Sequence, residues 1–141
     1  MSSSETETQQ TKLYGQEDAT YQALGAYDGI KKLVDDFYDI MASLKQAEKI
    51  FNMHPANNEV SRDKLTCFLS GWTGGPRLFK EKYGAISIPM AHQHLEIGTA
   101  EKDAWMTCMA QALDKQAYNE ELKAYMLTQL NFPAERCRNR D

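Results

Sequence analysis

Apolar residues recur along most of this chain at the spacing of one face of an α-helix, and no sustained run alternates as a β-strand does. The clearest stripe consists of Ile30, Leu33, Val34, Phe37, Tyr38 and Met41. Lysines and aspartates fill the positions between them, so the stripe predicts an amphipathic helix with one face in the core. The pattern as a whole predicts an all-α fold.

Shorter elements flank this helix. A short helix over residues 21–24 is expected to stop at Gly25, and another is expected over residues 44–51. The next helix is predicted to begin near Asn57 or Asn58. Its inward stripe consists of Ser61, Leu65, Phe68, Leu69 and Trp72. Glycines and a proline in residues 71–76 then stop the helix and turn the chain.

Three further helices are predicted in the second half of the chain. Pro89 suits the first turn of a short helix that carries His92 and His94. Thr99 is the predicted N-cap of a long helix, and a last helix is expected to end at Pro133. The basic segment after it is expected to be solvated.

The length of 141 residues suits one domain with a single hydrophobic core. Residues 1–13 are polar and are predicted to form a mobile tail, because such a segment buries too little apolar surface to offset its ordering entropy. Residues 14–133 are predicted to form the domain, and residues 134–141 a basic C-terminal tail.

Charge and hydropathy exclude several classes of protein. The chain has 16 Lys and Arg against 20 Asp and Glu, a net charge of −4, whereas a nucleic-acid-binding domain is normally basic. No apolar stretch approaches the roughly 18 residues of a membrane span, and the first residues lack the apolar core of a signal peptide. We therefore expect a cytoplasmic protein that binds neither nucleic acid nor membranes.

Cysteine and histidine usage narrows the candidate chemistry. The three cysteines are Cys67, Cys108 and Cys137. Their wide spacing, without CxxC or CxxCH, argues against a disulfide framework, the usual zinc sites and covalently attached c-type haem. The three histidines are His54, His92 and His94. Aromatic and sulfur side chains around the short histidine helix are typical both of a cofactor pocket and of an ordinary helical core, and the pattern leaves both open.

The order of the motifs resembles that of one protein family. The motifs are YQALG at 21–25, FY at 37–38, MHP at 53–55, FL at 68–69, GGP at 74–76 and EKDAWMTCM at 101–109. Together they resemble the group II truncated haemoglobins over about residues 20–130. The distance from GGP to a histidine, and on to the DAW motif, matches that family without a gap.

The resemblance implies a two-over-two helical sandwich, the truncated globin-like fold, around a b-type haem. It also places the iron-binding histidine of the family at His92. A globin haem needs one neutral imidazole as axial ligand and a mostly apolar slot that excludes water. His94 lies two positions further on, roughly 200° around a helix, so the two imidazoles cannot both face one iron from the same turn.

Further site residues follow from the same resemblance. Tyr38 and Trp105 match distal residues whose O–H and N–H can donate a hydrogen bond to a bound diatomic ligand. His54 is taken as a third distal residue, with Phe51 as the alternative. Ser61 occupies the gate position, Leu65 and Phe68 line the distal face, and Lys64 is placed to pair with a haem propionate. The remaining expected packing contacts are Phe79, Met90, Ile97 and Met109.

These residues lead to three hypotheses for function. In the first, the protein binds O₂, CO, NO or other diatomic ligands reversibly. In the second, it is an NO dioxygenase or a peroxidase-like haem enzyme, which at this chain length needs an external reductase. In the third, it is a haem-free helical interaction module.

Overall fold

A computed structural model describes residues 14–85 and 87–140, with the side chain of Ile88 left out. Every regular element in these ranges is helical, which confirms the all-α prediction. The predicted mobile tail of residues 1–13 lies outside the described residues. Among the residues described, no helix is both long and apolar enough to cross a membrane.

The chain order of the helices follows the sequence pattern closely. The α-helices are α1 (Ala19–Ala23), α2 (Ala26–Ser43), α3 (Glu48–Asn52), α4 (Glu59–Trp72), α5 (Leu78–Tyr83), α6 (Ile88–His92), α7 (Thr99–Asp114) and α8 (Glu120–Cys137). A 3₁₀ turn, Lys45–Ala47, precedes α3, so the helix expected over 44–51 is present in two pieces. Helix α5 was not predicted.

Helix α2 lies at the centre of the core. It packs on α4 along one side and on α7 along the other, and α8 packs on α7. The predicted stripe is buried as expected, with Leu33, Val34 and Phe37 fully inaccessible to solvent. Because burying a large apolar side chain contributes about 1.5–3 kcal/mol, this stripe contributes substantially to the stability of the fold.

The glycine pair after α4 allows the end of that helix to approach α1 closely. Gly74 has a φ of 94°, a left-handed conformation, and a β-carbon there would overlap the carbonyl oxygen of Glu17. A β-carbon on Gly75 would overlap the ring of Tyr21. The backbone N–H of Tyr21 also donates to the carbonyl of Thr73 at 3.1 Å. The glycines are therefore needed for packing as well as for the turn.

The expectation that Pro133 ends the last helix was wrong, because α8 continues to Cys137 with the proline inside it. A proline removes one backbone donor and normally kinks or breaks a helix. Here contacts beyond the proline support the last turn, since Glu135 pairs with Lys102 of α7 at 2.7 Å. Residues 134–137 therefore belong to α8, whereas they were assigned to the basic tail.

The segment after α8 is also not simply solvated. Asn139 accepts a hydrogen bond from the backbone N–H of Ile97 at 2.9 Å and donates one to the carbonyl of Leu95 at 2.7 Å. Its own backbone N–H donates to the carbonyl of Ile97 at 2.7 Å. The end of the chain thereby holds the loop between α6 and α7, although 42 residues separate Ile97 from Asn139.

Replacing Asn139 with alanine is expected to lower the free energy of unfolding by about 1 to 2 kcal/mol, because two hydrogen bonds to the α6–α7 loop are lost. Urea unfolding followed by circular dichroism measures this difference. Arg136→Ala, at an exposed position of α8, is the matched control. Equal losses in the two variants would contradict a specific role for Asn139.

Candidate functional site

A cavity of about 420 Å³ lies inside the helical framework. Its wall is formed by residues of α2 to α8, by the turn after α3 and by the loop between α6 and α7. Ten of the residues singled out from the sequence line it, namely Tyr38, His54, Ser61, Lys64, Leu65, Phe68, Phe79, His92, Ile97 and Trp105. Side chains from distant parts of the chain thus meet at one site.

Three other predicted residues are not on the cavity wall. Phe51 is half-buried and packs against the main core. Met90 is 66% exposed on α6, and Met109 is fully buried in the core on α7. Of the two alternatives for the distal position near the Pro55 turn, the one that lines the cavity is His54.

The short helix α6 brings His92 to the cavity. Pro89 lies in its first turn, as predicted, and His92 is its last residue. The sequence argument placed His92 and His94 roughly 200° apart on the assumption that one helix carries both. Helix α6 ends at His92, so that angle does not apply to His94. His94 consequently also lines the cavity, although its side chain is largely exposed, whereas His92 is half-buried.

Tyr38 and Trp105 place two hydrogen-bond donors at the cavity. Each ring packs edge-on against Phe37, with centroids 5.2 and 5.1 Å away. Within the described part of the chain, neither the Tyr38 hydroxyl nor the Trp105 N–H has a hydrogen-bond partner. Every side-chain nitrogen or oxygen of the described residues that is fully enclosed by protein has a hydrogen-bond partner, so these two donor atoms cannot be fully enclosed. Both donors are therefore open to the cavity that their side chains line.

The protonation of Tyr38 follows from its burial. Only 5% of the residue is exposed, and this burial raises the pKa of the phenol to about 12. Loss of water disfavours the charged phenolate, while the charge of Arg62 acts in the opposite direction and lowers the pKa. At neutral pH Tyr38 is therefore a protonated donor.

His54 can supply a hydrogen-bond acceptor, whereas Tyr38 and Trp105 supply donors. Its Nδ1 lies 2.9 Å from the carbonyl oxygen of Ile50, and its ring meets the ring of Tyr38 edge-on at 5.3 Å. Because a carbonyl only accepts, Nδ1 carries the proton. In the neutral ring Nε2 then has a lone pair, so His54 can accept a hydrogen bond or bind a metal through that atom.

Charged residues stand at the α7 side of the cavity. The carboxylate of Glu101 accepts from the backbone N–H of Gly98 at 2.7 Å and pairs with Lys49 at 3.4 Å. The hydrogen bond from Gly98 is the main cause of the lowered pKa of Glu101. Lys102, which also lines the cavity, pairs with Glu135. Neither Glu101 nor Lys102 was singled out from the sequence as a site residue.

Helix α8 supplies part of the wall that sequence reasoning missed. Leu130, Pro133, Ala134 and Cys137 all line the cavity. Burial raises the pKa of the Cys137 thiol, so this part of the wall is uncharged at neutral pH. The positions 130, 134 and 137 share one helical face, but ending the helix at Pro133 concealed that signal.

Comparison with known proteins identifies the family. A family model described as bacterial-like globin matches residues 19–139. The chain is a bacterial-like globin. This globin is 30% identical over 116 residues to the group 2 truncated hemoglobin YjbI of Bacillus subtilis, covering 82% of this chain and 85% of that protein.

Solved structures agree with this assignment. The cold-adapted truncated hemoglobin of the Antarctic marine bacterium Pseudoalteromonas haloplanktis superposes on the globin with a TM-score of 0.83 at 33% identity, covering 86% of this chain and 98% of that one. The group II 2-on-2 hemoglobin of Agrobacterium tumefaciens gives 0.82 at 30% identity, covering 86% and 95%. The fold is therefore the two-over-two globin fold, and truncated globins generally bind haem and small diatomic ligands.

The residues at the cavity fit a haem. The wall is largely apolar, with Leu65, Phe68 and Leu130 among its members, and its volume lies in the usual range for small-molecule sites. The imidazole of His92 lines this cavity together with the two open donors. A globin haem requires such an axial imidazole and such an apolar slot.

Tyr38→Phe is expected to leave the free energy of unfolding of the globin almost unchanged, because the hydroxyl has no partner in the described residues. Tyr118→Phe is the matched control. Its hydroxyl donates to the carbonyl of Leu24 at 2.6 Å, so its loss is expected to cost about 0.5–1.5 kcal/mol. Urea unfolding of both variants measures the difference, and a loss in Tyr38→Phe equal to that in Tyr118→Phe would show that the Tyr38 hydroxyl has a structural partner.

Proposed function

We propose that this globin binds haem b through His92 and reversibly holds O₂ and other diatomic ligands such as CO and NO. The observation that carries the proposal is the shared cavity of His92, Tyr38 and Trp105. A globin haem takes an axial imidazole, and hydrogen-bond donors in the pocket favour a bound diatomic ligand, so one largely apolar cavity that brings these groups together supports this function. The haem-free interaction module has no comparable observation in its favour.

When bound, the haem iron supplies the coordination position for the diatomic ligand. His92 would hold the iron through its imidazole, and the wall around Leu65 and Phe68 would keep water from the porphyrin. Ser61, a small residue on α4, leaves room at the cavity edge, and Lys64 lines the cavity where a propionate could pair with it.

The phenol of Tyr38 and the indole of Trp105 retain the ligand. Since neither donor has a hydrogen bond to the described residues, neither has to break one with them before it binds the ligand, so little of its hydrogen-bond energy is lost. A hydrogen bond of this kind contributes about 0.5–1.5 kcal/mol net, which slows ligand release by about two- to tenfold. His54 adds an acceptor, since its Nδ1 proton is already used by Ile50.

A redox enzyme at the same site, an NO dioxygenase or a peroxidase-like protein, is the second candidate. The lone pair of His54 Nε2 favours it, because a base beside two donors can take a proton from a protonated substrate. Such turnover requires an external reductase. NO consumption that continues beyond one equivalent in the presence of a reducing system would favour the enzyme, and consumption that stops there would favour reversible binding.

His92→Gly is expected to remove the axial bond and to change the visible spectrum of the dithionite-reduced protein and of its CO complex. Added imidazole is expected to restore both spectra by occupying the vacated space. His94→Gly is the control and should keep the spectra of the unmodified protein. The assignment is wrong if His94→Gly shows the loss instead, and the proposed function fails if the unmodified protein takes up no haem.

Tyr38→Phe and Trp105→Phe are each expected to accelerate O₂ release by about two- to tenfold, because each removes one hydrogen-bond donor. Stopped-flow displacement of O₂ by CO measures the rate. Tyr118→Phe removes a phenol elsewhere in the core and should leave the rate unchanged. Unchanged rates in the two cavity variants would refute the donor roles.

A further inference from the structure

Arg62 lies against Tyr38 and lines a second, polar hollow that Tyr38 does not line. Its guanidinium carbon is 5.5 Å from the centroid of the Tyr38 ring and lies over the ring. A cation within about 6 Å of an aromatic face is attracted by the negative potential of that face. The charged group therefore contacts the ring whose hydroxyl is open to the haem cavity.

The guanidinium is held in place by three other side chains. Its Nη2 donates to Asp39 at 2.8 Å, its Nη1 to Asp35 at 3.2 Å, and its Nε to Asn58 at 2.9 Å. The two aspartates belong to α2, which also carries Tyr38, whereas Arg62 belongs to α4. A planar guanidinium with several directed bonds is oriented more firmly than an ammonium would be.

Among the described residues, two titratable side chains contact the Tyr38 ring, Arg62 over its face and His54 at its edge. Helix α2 contributes Asp35 and Asp39, which partly compensate the charge of Arg62. The turn after α3 contributes His54, and α7 contributes Glu101 further along the cavity wall. Arg62 is the cation that lies over the ring itself.

We infer that Arg62 is a positioning residue for Tyr38: its guanidinium fixes the phenol ring and strengthens the hydroxyl as a hydrogen-bond donor towards the cavity. The inference rests on the proposed function in so far as Tyr38 contacts the bound ligand. A positive charge near a phenol draws electron density from its O–H and favours hydrogen bonding to a partly negative ligand. Asp35 and Asp39 moderate this effect.

The CO stretching frequency of the haem-loaded protein, measured by infrared spectroscopy, tests the electrostatic part. Arg62→Met should raise the frequency, because a weaker donor polarises the bound CO less, and should speed O₂ release about two- to fivefold. Arg62→Lys keeps the positive charge and should therefore raise the CO frequency less than Arg62→Met does. Asp39→Asn should shift the frequency the other way, because it removes compensating negative charge while leaving an acceptor for Arg62.

The opposite CO frequency shifts expected for Arg62→Met and Asp39→Asn distinguish a positioning role of Arg62 from a merely structural one. If Arg62 only supported the fold, both Arg62→Met and Asp39→Asn would loosen the α2–α4 contact and shift the frequency in the same direction. Lys32→Met is the matched control, since it removes a lysine that pairs with Asp36 elsewhere on α2. A shift in Lys32→Met as large as that in Arg62→Met would overturn the inference.

Ring-flip rates of Tyr38, measured by NMR on the ring-labelled full chain, test the steric part whether or not haem is bound. Arg62→Met should increase the ring-flip rate of Tyr38, and Arg62→Lys should increase it by a smaller factor. Unchanged flip rates would overturn the inference even if haem binding is normal. Conversely, if Arg62→Met speeds the ring flips but the protein takes up no haem, the positioning role of Arg62 is supported and only the proposed function is refuted.

Discussion

The burial of the α2 stripe is the interaction on which the rest of this globin depends. The same helix packs on α4 and α7, and its fully buried Phe37 contacts the rings of both Tyr38 and Trp105. The two donors of the cavity are therefore oriented by the core itself. A loss of packing at Phe37 would disturb the binding site as much as the fold, because neither donor ring has a hydrogen bond to the described residues that would hold it independently.

The cavity concentrates polar groups whose hydrogen-bonding capacity is not used by the fold. Because both donors are open to the cavity and not fully enclosed, they can lack a protein partner without the full cost of a buried, unsatisfied polar group. The Tyr118 hydroxyl, by contrast, donates to the carbonyl of Leu24 at 2.6 Å. The contrast between Tyr118 and Tyr38, two tyrosines whose pKa burial raises to about 12, separates a structural phenol from one available to a ligand.

Much of this could be predicted from the sequence because amphipathic periodicity is local information. The stripe of α2 and the turn at Gly74 and Gly75 were identified directly, and the motif order indicated the family. Helix α5 was missed because it is six residues long and buries none of its side chains fully, so it has no apolar stripe. The extension of α8 past Pro133 was missed because its support comes from Lys102, a residue remote in sequence.

The two sides of the cavity consequently depend on different kinds of interaction. Tyr38 and Trp105 are placed by helices whose patterns are strong, whereas the loop after His92 is held by Asn139 and by the last turn of α8. The hydrogen bonds of Asn139 are partly exposed and close a long loop, so they are weaker and more easily opened than core packing. The loop after His92 is therefore expected to open locally more readily than the packing around Tyr38 and Trp105. Tyr38 and Trp105 were proposed as donors from the resemblance in motif order, whereas the angle argument for His92 against His94 does not apply, because the short helix ends at His92, two residues before His94.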